Sequence, residues 1–111
     1  MFIWWPKGRI RGEYRDPMTG TLLKGSVSIA TPIDLRSSAN KVVIPKGRIF
    51  HEMLNVDESL GHSFDFEVYS NLEGVDETEW GWIVIIDSPA FYEVTPHVNV
   101  VTGETTDMSD L

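Results

Sequence analysis

The residues able to do chemistry are few and poorly placed for it. His51, His62 and His97 are the only histidines in 111 residues. Brought together with carboxylates behind them, three imidazoles would suit zinc. None sits at the short spacing of paired ligands, so each reads as an ordinary strand or loop residue. Glu73, Asp76, Glu77 and Glu79 gather carboxylates that would suit a hard cation such as calcium. They lack the ordered Asp/Asn/Gly spacing of a calcium loop, and a solvated acidic face is the plainer reading. Asp65 and Glu67 fall on one side of a strand about 6.6 Å apart, as paired acids in glycoside hydrolysis can be. They alternate with Phe64 and Phe66, as outward charges on any half-exposed strand do. No serine lies in a G-x-S-x-G elbow and no glycine-rich phosphate loop is present. The absence of cysteine excludes disulfides, thiolate metal sites and cysteine nucleophiles. The expectation is a protein that is not an enzyme and carries neither metal nor cofactor.

Aromatic residues carry more information. Trp80, Trp82, Val84 and Ile86 share one face of the most apolar stretch, the signature of a central strand filling a core. Exposed, the same indoles could stack on sugars. Trp4 and Trp5 differ: they precede the first strand in an arm closed by Pro6. Such an arm either packs on its own domain or docks on a neighbour, where Trp is a strong anchor.

Charge is divided along the chain. All nine Lys and Arg lie between Lys7 and Arg48 with three acids among them, and fourteen acids follow, so residues 1–48 carry +6 and residues 49–111 carry −14. Identical chains could therefore attract head to tail. Arg9, Arg11 and Arg15 on one side, with Asp76, Glu77 and Glu79 on the other, are the charged interface candidates, and Trp4 and Trp5 the apolar ones. A net charge of −8 opposes nucleic-acid binding over the whole surface. No apolar run approaches the ~20 residues of a membrane span, and Pro6 and Lys7 interrupt the apolar start before it resembles a secretory leader.

These residues must be positioned by strands. Breakers are frequent and helical periodicity is absent. Arg9 to Tyr14 reads as a first strand, with the alternating basic residues of a sheet edge. Asp16-Pro-Met-Thr-Gly20 is a turn. Gly25 to Ile29, Lys41 to Ile44, Arg48 to Val56 and His62 to Val68 follow as strands, with Thr31 to Asn40 as a loop. Trp80 to Ile86 and Phe91 to Val101 complete the set. Turns every 8–12 residues predict an all-β, single-domain antiparallel β-sandwich of about seven strands, with a small β-barrel as the alternative. The arm would be 1–8, the sandwich 9–101, and 102–111 a flexible acidic tail dispensable for folding. The expected core is Val27, Ile29, Phe64, Phe66, Trp80, Trp82, Val84 and Ile86.

Several of these segments also resemble a family. Gly12-Glu-Tyr-Arg-Asp-Pro-Met-Thr-Gly20 followed by Gly25-Ser-Val-Ser-Ile29 resembles the "strand, D-x-x-T-G, G-x-V-x-[FI]" opening of small sandwich domains in virion proteins of tailed phages of actinobacteria. Leu54-Asn-Val-Asp57, Gly61 to Phe66 and Trp80-Gly-Trp82 follow in the same order, so the likeness spans about residues 8–101. Where the pattern has a tight Asp-x-Gly turn, this chain has Asp57-Glu-Ser-Leu-Gly61. The resemblance implies a prealbumin-like or immunoglobulin-like fold. It also implies a structural virion protein that decorates or cements the capsid surface or forms an accessory tail part. Its partners would be capsid or tail subunits and further copies of itself, with no nucleic acid and no membrane. It would reside in the virion, and in the host cytoplasm during assembly. The alternative from a different class is a module recognising host-surface glycans through exposed Trp.

Overall fold

Period-two alternation places one residue in two against a common core, and nine strands result among the described residues. The computed structural model describes residues 6–38, 42–72, 76, 79–89 and 91–110. The strands are β1 (Lys7–Gly12), β2 (Ser26–Thr31), β3 (Leu35–Ser37), β4 (Val42–Ile44), β5 (Gly47–Met53), β6 (Phe64–Tyr69), β7 (Trp82–Ser88), β8 (Phe91–Val98) and β9 (Thr105–Asp107). They form an antiparallel four-stranded sheet β5-β2-β7-β8, a three-stranded sheet β6-β1-β9 and the hairpin β3-β4. Neither large sheet closes on itself, so the architecture is a sandwich and not a barrel.

The two inner faces meet in one cluster. Ile10, Phe64 and Val68 come from the smaller sheet, and Val27, Ile29, Trp82, Val84, Ile86 and Val98 from the larger. Trp80 and Trp82 pack edge to face at 4.8 Å, and the Trp82 indole N–H donates to the Tyr69 carbonyl at 2.9 Å. An indole can be fully buried only when its N–H finds such an acceptor. Phe66, placed among the core residues by its alternation, is half-buried. It lies in a row of rings running Phe50, Phe66, Phe64, Tyr14, Phe91, with neighbouring centroids 5.4–6.2 Å apart.

Three expectations are corrected. First, β1 is not an edge strand. It is the middle of its sheet, antiparallel to β6 (Ile10 opposite Phe66) and parallel to β9 (Ile10 opposite Thr106). Its alternating arginines face outward between two acidic neighbours, which reproduces an edge pattern without an edge.

Second, the flexible tail is part of the fold. Thr105–Asp107 pairs with β1, the Ser109 hydroxyl accepts the Glu13 amide at 3.1 Å, and Met108 is buried in the core. The open side of β1 pairs with the backbone of this segment, and Met108 is its apolar anchor among the described residues. Gly8 allows the approach, because a Cβ there would collide with the Val101 carbonyl. The backbone then joins at Arg9 N–H to Glu104 and Gly103 N–H to Lys7.

Third, the expected loop Thr31 to Asn40 contains β3, anchored by the buried Leu35.

Candidate interaction surface

The arginines expected to reach a neighbour already have partners in their own chain. Arg9 donates to Asp65 of β6 at 3.0 Å. Arg11 lies 3.8 Å from Asp107 of β9. Arg15 is held by Glu13 at 2.6 Å, by Glu58 at 2.8 Å and by the Gly20 carbonyl at 2.9 Å. Arg9 and Arg11 thus meet acids from the second part of the chain within the fold, because β1 lies between two strands from that part. Asp65 belongs to this pairing, and Glu67 is exposed opposite the same Arg9. Asp76 accepts the Ser38 amide at 3.0 Å and donates its own N–H to Arg36, which ties it to the β3–β4 hairpin. Glu79 is exposed. Trp4, Trp5, Glu73 and Glu77 lie outside the described residues.

The lengthened turn at Asp57 has a structural purpose. It forms a short 3-10 turn, capped by Asp57 accepting the Ser59 amide and closed by Gly61 at φ 72°. This projects Glu58 onto the hairpin that carries Asp16-Pro-Met-Thr-Gly20. One Glu58 oxygen accepts from Arg15 and the other from the Leu22 amide, both at 2.8 Å. The Leu22 N–H and then Arg15 hold the Glu58 carboxyl below its ordinary value, while Glu58 and then Glu13 hold the Arg15 guanidinium above its own. Asp16 closes the turn by accepting the Met18 amide on its side chain and the Gly20 amide on its backbone.

Two clefts flank this hairpin. One, of about 220 Å³, is lined by Glu13, Tyr14, Arg15, Pro17, Leu23 and Phe91. The other, of about 290 Å³, lies across Leu23 towards Lys24, Ser88 and Pro89. Tyr14 is fixed at the first by Ser63, whose hydroxyl accepts the Tyr14 amide and donates to its carbonyl. Burial, then the charges of Glu93 and Asp107, push the Tyr14 hydroxyl up to about 12. The Tyr14 ring forms one wall of this open space.

That space is open because the sheets are unequal. Phe91, Glu93 and Thr95 of β8 point to the core side in register with Ser88, Ile86 and Val84, but β9 is only three residues long. Phe91 keeps 38% of its surface exposed. On the opposite face of β8, Tyr92 is 65% and Val94 47% exposed. The outer face of the four-stranded sheet continues through Ile85 to the Ser28–His51 hydrogen bond of 2.8 Å and to the exposed Met53.

The three histidines stay apart in role. His51 bonds to Ser28, His62 has a buried Nδ1 without a partner, and His97 takes φ 58° at the irregular end of the β7–β8 pairing. Among the described residues no three His, Asp or Glu side chains come together as metal ligands would. Trp80 and Trp82 are 5% and 0% exposed, which removes them from reach of a sugar. Sequence reasoning missed Tyr14, Glu58, Ser63 and Asn71 as organising residues. Only the long turn at Asp57 signalled one of them. Nothing in a single sequence separates a buried Asn or Ser from a surface one.

No family model, curated protein or solved structure matches this chain. Fold and surface together define a class: an all-β, two-sheet sandwich with an exposed edge strand beside a cleft walled by Tyr14, Pro17, Leu23 and Phe91.

Proposed function

We propose that this protein is a non-enzymatic structural component acting through protein–protein contacts, as a small sandwich subunit of a tailed-phage virion. The observation that carries the first part is β8. A solvent-facing strand with Phe91, Tyr92 and Val94 exposed on its two faces is a surface of the kind that partners cover. The virion assignment rests on the sequence likeness. Of the segments that carry it, Asp16–Gly20 forms a turn, Ser26 to Ile29 lie in β2, and Trp80 and Trp82 lie in the core at the start of β7. With the β3–β4 hairpin set aside, the seven remaining strands in chain order pair as 3-2-5-6 and 4-1-7. An immunoglobulin sandwich would pair them as 1-2-5-4 and 3-6-7. Of the two folds the resemblance implies, the strand order favours the prealbumin-like one.

Capsid decoration and an accessory tail role differ in copy number. Mass spectrometry of purified virions from a genome encoding this chain separates them: hundreds of copies place it on the capsid, a few in the tail. Its absence from virions overturns the assignment. The glycan-binding alternative required exposed Trp, and the two described tryptophans lie in the core.

A further inference from the structure

We propose that residues 1–5 of one copy dock in the Tyr14–Phe91 cleft of a second copy, joining copies head to tail. This rests on the reading of the protein as an assembly component, and supplies the contact and the partner for it.

The cleft's size and lining favour a side chain. At about 220 Å³ it falls below the ~300–1,000 Å³ usual for small-molecule sites. Tyr14, Pro17, Leu23 and Phe91 supply apolar walls, and Phe91 remains partly exposed among them. Met1-Phe-Ile-Trp-Trp5 supplies matching large apolar side chains with no charge on any of them.

Position favours a second copy over the same one. The Pro6 carbonyl accepts the Ser70 amide, and Lys7 lies opposite Tyr69. Gly12 lies opposite Phe64, whose ring stacks with Tyr14. The segment therefore joins β1 at one pole of the sandwich, and the cleft sits at the other. The six residues of β1 separate them by about 17 Å. Five extended residues reach about 17 Å at most. To fill its own cleft the segment would have to reverse at Pro6 and retrace all of β1 with no length left over. A copy stacked pole to pole presents its cleft directly.

Charge favours the same arrangement. Glu13 at the cleft is matched by Arg15, but Glu93, two residues from Phe91 on the same face of β8, has no ion pair among the described residues. The docking segment is followed by Lys7, whose ammonium lies 5.5 Å from the Tyr69 ring centre on an exposed pole. Docking would carry that cation towards Glu93. Donor and acceptor surfaces differ, so the contact is heterologous and builds rings or open rows, not closed two-fold dimers.

The test uses the full chain in sedimentation velocity over a concentration series. Wild type should self-associate. Trp4→Ser/Trp5→Ser and Phe91→Ser should each weaken association at least about 10-fold, and Glu93→Lys should weaken it less. Mixing the Trp4→Ser/Trp5→Ser protein, whose cleft is intact, with the Phe91→Ser protein, whose segment is intact, should restore complexes that stop at two chains. A synthetic peptide of residues 1–8 should shift the NMR signals of Tyr14 and Phe91 and dissociate wild-type oligomers. A monomeric wild type, failed complementation, or peptide shifts centred elsewhere would overturn the proposal. So would a lowered melting temperature of monomeric Trp4→Ser/Trp5→Ser, which would place the segment on its own chain. All of these readouts are independent of whether the protein is found in virions.

Discussion

The side-chain oxygen of Asn71 accepts the backbone N–H of Val100 at 2.7 Å, and both residues are fully buried. The same amide donates to the Trp80 carbonyl at 2.7 Å and to Asn99 at 2.8 Å. One side chain thereby joins the exit of β6, the approach to β7 and the exit of β8. Backbone groups that leave a sheet inside a core need partners, and Asn71 supplies both a donor and an acceptor.

Asn71→Leu should therefore destabilise the protein by about 2–4 kcal/mol, since it leaves the buried Val100 N–H without its acceptor and takes the amide donor away from the Trp80 carbonyl. Asn71→Asp should be no better, because a carboxylate would face the Trp80 carbonyl. Urea denaturation of the two variants against wild type checks this. Wild-type stability in Asn71→Leu would remove the clamp from the account.

Glu58 should make stability pH-dependent in one direction. Its folded carboxyl titrates below the ordinary value of 4.5, held there by the Leu22 amide and Arg15. A lowered folded value means that the contribution is complete above the ordinary value and lost as pH falls through the folded one. Melting temperature should drop as pH is lowered from about 6 to about 3, and Glu58→Gln should flatten part of that fall. Asp57 is also held below its ordinary value, by the Ser59 hydroxyl and amide, and acts in the same direction. The difference between the two curves isolates Glu58. Parallel curves would contradict the assignment.

Met108→Ala should cost about 2–5 kcal/mol, the range for truncating a buried Met. Deleting residues 105–111 should cost more, since β1 loses a neighbour as well as Met108. Thermal melts of both variants test this, and an unchanged midpoint on deletion would show that the segment adds nothing to the fold.

Trp82→Ala should cost about 3–5 kcal/mol. Trp82→Phe should cost less but remove the indole N–H that donates to the Tyr69 carbonyl. Far-ultraviolet circular dichroism should lose the Trp80–Trp82 exciton couplet in both. A retained signal in either variant would mean that the pair is not its source.

What was legible in the sequence was whatever alternation encodes. Trp82, Val84 and Ile86 face inward because every second residue must, and Val27 and Ile29 repeat the pattern. Pairing partners are not encoded that way. Arg9 and Arg11 alternate as edge residues do, yet their strand is internal, because acids on β6 and β9 meet them. Thr105–Asp107 is too polar to announce a strand. Its order comes from backbone pairing that β1 offers from far away in sequence. The cleft was hidden for the same reason: Tyr14, Leu23 and Phe91 meet only after two sheets have packed.

The parallel pairing of β1 with β9 has a consequence for how the molecule comes into being. Glu13 and Ser109, bonded beside that pairing, are 96 residues apart. Closing so long a loop carries a large entropic cost before any contact offsets it, so contacts of this kind form late. On the ribosome β1 must wait with one side bare until almost every residue described here has been made. A nascent chain halted before Thr105 would expose that bare strand, a template for pairing with other unfinished copies.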